Sequence, residues 1–195
     1  MSILSVKREM RNQTDQYYID QILEGNTRAF SFLMEKYQHM VFTISVRMMN
    51  DREEAEDVAQ EVFIKAYQKL DKFKGKSKFS TWLYRITYNY CLDRLKLKKK
   101  LIKSGIIDEV NEGNLIMEDE TITNIEEQEK KTVIQHAIQA LDRDDQVIVT
   151  LYYYEELSLK EIAHTMGMTL SNVKVKLFRS RNKLSELLKN TTLTY

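Results

Sequence analysis

Apolar positions recur every three or four residues through most of this chain, the spacing of helices that bury one face. The pattern predicts helices over 17–37, 39–49, 53–70 and 80–97, an N-terminal bundle of four. Sustained periodicity stops between Lys103 and Glu126, where Gly, Asn, Thr and acids mix without a repeat. It resumes over 128–140, with Val133, Ala137 and Leu141 inward, and over 144–154, with Val147, Ile148, Leu151 and Tyr152 inward. Two shorter patterns close the chain. The expected fold is all-α: two small helical domains, 1–102 and 127–195, joined by an acidic linker over 103–126.

The last two patterns lie in LSLKEIAHTMGMTLSNVKVKLFRSRNKL. Ser158 can cap a helix whose apolar positions are Leu159, Ile162, Ala163 and Met166, and Gly167 supplies the positive-φ stop. Thr169 or Ser171 can cap the next helix, in which Leu170, Val173, Leu177, Leu184 and Leu187 share a face and the lysines and arginines do not. The small residue at Ala163, the glycine four positions on and Val173 six further suit the close crossing of a helix-turn-helix. An ordinary helical hairpin with a solvated basic face is the alternative.

Two stretches of the first half carry further chemistry. In NDREEAEDVAQEVFIKAYQKL, Asn50 or Asp51 can cap a helix with first-turn acids, and Ala55, Val58, Ala59, Val62, Ala66 and Leu70 form its inward stripe. Asp57, Gln60, Glu61 and Ile64 lie off that stripe, an acidic and apolar surface suited to docking on a protein. No histidine or glycine loop joins these carboxylates, which argues against a metal-dependent nuclease and against an enzyme. In FKGKSKFSTWLYRITYNYCLDRLKLKKK, a Gly/Ser/Lys loop leads into a helix expected to be capped by Ser80. Phe79, Leu83, Ile86, Tyr90 and Leu97 read as its buried stripe, whereas Tyr84, Tyr88 and Asn89 fall nearer the basic side. Aromatic faces to stack unpaired bases, polar groups for their edges and lysines for phosphates occur together here.

Composition narrows the partners. No run is apolar enough to span a bilayer, and the apolar patch in MSILSVKREM is too short for a signal peptide, so a cytoplasmic location is expected. One cysteine, Cys91, and three scattered histidines give no disulfide, no metal cluster and no expected cofactor. Five glycines and no proline favour helices throughout. The net charge of +1 conceals blocks: acidic over 51–61, basic over 72–103, acidic over 108–129 and basic again over 174–189.

The three stretches quoted above, in that order and separation, resemble a bacterial RNA polymerase sigma factor of the extracytoplasmic-function (ECF) type, in the sigma-70 family. The resemblance runs from about Tyr17 to Leu188. It implies a first domain that binds the clamp helices of the largest polymerase subunit and opens the minus-ten element, and a second that reads the minus-thirty-five element. Asp57, Gln60, Glu61 and Ile64 match the polymerase-docking part of the pattern. Lys74, Lys76, Ser77 and Lys78 match the loop that captures an unstacked base, with Trp82, Arg85, Tyr88 and Asn89 on the helix beside it. Ser171, Lys174, Lys176, Phe178, Arg179 and Arg181 match the recognition helix. Lys174 and Lys176 stand where members often carry arginine, and lysine lacks the planar fork that reads guanine.

Implied partners are core polymerase, including the flap of the second-largest subunit, promoter DNA and an anti-sigma factor, with no membrane insertion. In similar proteins the acidic linker threads a basic path later taken by RNA. Two other readings stand beside this one. A response-regulator transcription factor would share the helix-turn-helix but needs a receiver of alternating strands and helices. An RNA-binding adaptor would leave the acidic helix without a role.

Overall fold

A computed structural model describes residues 14–106 and 125–192. Its eight α-helices are α1 (Asp15–Leu23), α2 (Phe30–Met49), α3 (Arg52–Gln68), α4 (Phe79–Lys103), α5 (Ile125–Gln139), α6 (Arg143–Tyr153), α7 (Leu159–Met166) and α8 (Leu170–Thr192), with 3-10 turns at Thr27–Ala29 and Leu70–Lys72. The described residues contain no strand, in agreement with the all-α expectation.

The first long pattern divides earlier than expected. The break falls at Gly25, whose φ of 103° few other residues tolerate, and Gln38 lies inside a 20-residue α2. Asn50 ends α2 in the left-handed region, and Asp51 caps α3 by accepting a hydrogen bond from the Glu54 amide at 2.9 Å. α4 begins one residue before its expected cap: Lys78 is the N-cap, without a side-chain bond, and Ser80 sits in the first turn. The helix then runs 25 residues, past the predicted end, and Leu97, expected inside, is half exposed.

α2 is the axle of the molecule. Every residue from Thr43 to Met49 is buried, a run no amphipathic surface helix shows, because α2 packs against α3, α4 and α6 at once. α6 is its counterpart: Gln146 to Leu151 are all buried, between α2 on one side and α7 and α8 on the other. The two helical units of the expectation therefore pack against each other, and their buried residues form one continuous cluster. Arg47 lies in this junction, nearly inaccessible, and donates to Gln135 at 3.3 Å. Burial lowers its pKa to about 10, opposed by the nearby Tyr154 hydroxyl.

The helix-turn-helix forms as its spacing predicts. Ser158 and Glu161 make a reciprocal capping box, Gly167 ends α7 at φ 65°, and the Asn172 amide donates to Thr169 Oγ1 at 3.2 Å to start α8. Residues 107–124, most of the expected linker, lie outside the described residues.

Candidate nucleic-acid interface

α3 holds its expected stripe inside: Ala55, Val58, Val62 and Ala66 are buried, Ala59 is partly so, and Leu70, in the 3-10 turn that follows, is buried with them. One turn pattern thus leaves Asp57, Gln60, Glu61 and Ile64 outside, and all four are exposed. Gln60 also lines a groove between α2 and α3 whose walls include Met34, Phe42 and Phe63. This surface offers carboxylates beside apolar contact area, the chemistry of protein docking rather than of DNA binding.

The loop before α4 presents Lys74, Lys76 and Lys78 to solvent around Gly75, which holds φ 65°, with Ser77 partly covered. Trp82 is half-buried and tilts against Phe73 and Phe79, with ring centroids 5.4 and 5.5 Å away. One ring face is thereby committed to packing.

Further along α4 the structure departs from the sequence reading. Tyr84 and Tyr88, expected on the basic side, are buried at 1% and 2% exposure. Their hydroxyls cross to the second unit: Tyr84 donates to Glu155, and Tyr88 donates to Asp144 Oδ1 at 2.8 Å. Burial, then these hydrogen bonds to carboxylates, push both phenols well above the ordinary tyrosine pKa. Arg85 stays exposed but its Nη1 lies 3.0 Å from His164 Nε2 on α7. Only Asn89, of the four α4 candidates, is exposed and has no such partner. Glu155 is delivered by a turn in which the next residue, Glu156, adopts φ 51°, a left-handed conformation that costs about 1 kcal/mol or more for such a residue.

α8 is different. Ser171, Lys174 and Arg179 are exposed, and Phe178 is 64% exposed, although a phenyl ring on a free surface has no packing reason to be there. Lys176 is drawn inward: its Nζ lies 2.7 Å from Asp145 Oδ1 and 4.0 Å from Asp144 Oδ2. Arg181 donates to the Tyr153 hydroxyl at 2.8 Å and lies over the rings of Tyr152 and Tyr153. Lys176 and Arg181 thus brace α8 against α6. Asp144, which sequence reasoning did not single out, binds both Tyr88 of α4 and Lys176 of α8.

The comparisons with known proteins decide the family. Sigma-70 region 2 matches residues 33–101, and Sigma-70, region 4 matches residues 131–184. The RNA polymerase sigma-H factor of Pseudomonas aeruginosa is 32% identical over 186 residues, covering 92% of this chain and 96% of its own length. This chain belongs to the sigma-70 family, among its ECF sigma factors. The ECF RNA polymerase sigma factor SigW of Bacillus subtilis is likewise 32% identical, covering 88% of this chain and 95% of SigW. The ECF RNA polymerase sigma-E factor of Escherichia coli is 32% identical, covering 90% of this chain and 97% of that factor.

Two solved structures share the fold. The sigma factor RpoE in complex with the anti-sigma factor NepR from Bartonella quintana has a TM-score of 0.70 at 21% identity, covering 82% of this chain and 96% of RpoE. CnrH in complex with the cytosolic domain of CnrY has a TM-score of 0.62 at 22% identity, covering 91% of this chain and 99% of CnrH. As an RNA polymerase sigma factor, this chain serves transcription initiation by binding core polymerase and promoter DNA. The response-regulator reading is set aside: α1 to α4, with the region 2 match over 33–101, stand where a receiver would need a sheet. No helix among the described residues is long and apolar enough to cross a membrane.

Proposed function

We propose that this sigma factor divides the work of initiation among three surfaces and that one of them is withheld in the arrangement described above. The exposed face of α3, with Asp57, Gln60, Glu61 and Ile64, docks on the clamp helices of the largest polymerase subunit. Lys74, Lys76, Ser77 and Lys78, with Trp82, Arg85, Tyr88 and Asn89, take the unstacked minus-ten strand. Ser171, Lys174, Phe178 and Arg179 enter the minus-thirty-five groove, while Lys176 and Arg181 position the helix that carries them.

The observation that carries this reading is the pairing of α4 with α6 and α7. Tyr88 cannot stack a base while its ring is buried and its hydroxyl is held by Asp144. Promoter opening therefore requires the two helical units to part, which polymerase achieves by binding each separately. The linker over 103–126 keeps them tethered and, by the family resemblance, follows the RNA path. The resemblance also brings an anti-sigma factor in as a partner, such as RpoE has.

Reconstituting the full chain with core polymerase and selecting bound fragments from genomic DNA tests this. The expected fragments share two short elements at one fixed separation and support transcription from a single start. Binding with no shared two-part element, or with no transcript, would overturn the reading.

A further inference from the structure

The C-terminal half of α4 carries lysines that neither the fold nor the surfaces above employ. Along Arg94 to Lys103 five of the six basic residues sort into two sets by helical phase, with the exposed Lys99 between them. Arg94 and Lys98 face α3, where Glu54 takes both, at 3.8 and 2.9 Å. Lys96, Lys100 and Lys103 point the opposite way and are exposed. At 3.6 residues per turn they fall within about 60° of Asn89 and of Arg85. Lys96 makes one loose pair with Asp93 at 3.5 Å, both side chains more than 70% exposed, which screening makes weak. No acidic side chain among the described residues pairs with Lys100 or Lys103.

We infer that Lys96, Lys100 and Lys103 form a phosphate rail for the duplex immediately upstream of the minus-ten element. This rests on the placement of that element along Arg85 and Asn89. Continuity is the first argument: the rail prolongs the same face of the same rigid helix. From Asn89 to Lys103 the axis advances about 21 Å, the rise of about six base pairs of duplex. Chemistry is the second. Flexible ammonium groups, with no arginine and no aromatic among the three, suit sequence-independent contact with phosphates rather than base readout or strand stacking. Finally, the pairing of the two helical units engages Arg85, at the other end of the face, with His164 but leaves these lysines without a partner across the units, so the rail can meet duplex DNA before α4 is fully released.

The test uses holoenzyme and two promoter probes: the minus-ten non-template strand alone, and the same strand continued into about ten base pairs of upstream duplex, enough to span the rail but stopping short of the minus-thirty-five element. Lys96→Gln/Lys100→Gln/Lys103→Gln is expected to flatten the salt dependence of binding to the duplex-bearing probe by about two to three units of log K per log salt, near 0.9 for each lost phosphate contact. Binding to the single strand should not change. An unaltered slope on the duplex-bearing probe would overturn the rail, and equal losses on both probes would overturn it by placing the lysines on polymerase or on the melted strand. Arg85→Ala/Asn89→Ala tests the underlying placement separately, since it should weaken both probes.

Discussion

α4 and α8 are both long basic helices, each proposed above to meet DNA, yet they differ in what covers them. α8 leaves Lys174, Phe178 and Arg179 in solvent, while Lys176 and Arg181 are held by side chains of α6. α4 has its aromatic reading face buried under α6 and α7, with Tyr84, Tyr88 and Arg85 each engaged by a residue more than fifty positions away. A duplex-reading helix can stand exposed at little cost, because polar and charged groups remain hydrated. An aromatic face suited to stacking melted bases is apolar, and in the absence of a strand it finds another apolar partner. The same chemistry that suits the proposed strand capture thus suits closure.

The largest effect that would sharpen this contrast is expected at Arg179. Arg179→Ala should weaken promoter binding by about 1–3 kcal/mol, with the loss concentrated at one base pair of the minus-thirty-five element. Binding assays over single-base variants check this, and a uniform loss would make Arg179 a phosphate contact. Of similar size is Tyr84→Phe, which removes a hydrogen bond to a carboxylate and should weaken closure by about 1.5–3 kcal/mol. Hydrogen exchange should then rise along the α4–α7 contact, while minus-thirty-five binding stays unchanged.

Lys174 and Lys176 divide the contrast within a single helix. Lys174→Gln should reduce the salt slope of promoter binding by about one unit with no loss of stability. Lys176→Gln should lower stability by about 1 kcal/mol, since it strips a half-buried pair from Asp145, and barely alter the slope. Denaturant melts and salt titrations together check both.

The smallest effect is a null with a known sign. The raised phenol pKa values of Tyr84 and Tyr88 contribute stability that is complete below the ordinary tyrosine value and lost as pH rises through the higher folded one. These two phenols should therefore add no pH dependence to closure between about pH 7 and 9 and weaken it above about pH 10. Comparing the wild type with Tyr84→Phe and Tyr88→Phe across that range isolates their share. Cys91 gives a control: it is fully buried, and burial pushes its thiol up to about 12. It should resist thiol reagents both in the free chain and on polymerase, because parting the units leaves α4 packed on α2.

Much of this could be read from the sequence. Caps and stops act locally, so Ser158, Gly167, Asp51 and the α3 stripe were legible, and with them the exposure of Asp57, Gln60, Glu61 and Ile64. What was not legible is set by distance along the chain. Tyr84 with Glu155 and Tyr88 with Asp144 depend on how α6 lies against α2 and α4, which no local period encodes. A hint existed in TISVRMM and QVIVTL, runs without a polar face that belong to helices covered on every side. Helical phase alone puts Tyr84 and Tyr88 nearer the basic side, and residue type does not correct it, because tyrosine suits stacking and burial equally. The helix break was placed near Gln38 instead of at Gly25 because the apolar period of α2 starts in phase with that of α1.

The claim that α4 is covered in the free chain and released on polymerase is met most directly by a distance. Spin labels at Lys76→Cys on the loop before α4 and Asn182→Cys on α8, with Cys91 left in place, report the separation of the two units by double electron–electron resonance. A single narrow distribution in the free protein that shifts to a longer distance on binding core polymerase is the expected result. A broad, long distribution in the free chain, or one that polymerase leaves unmoved, would contradict it.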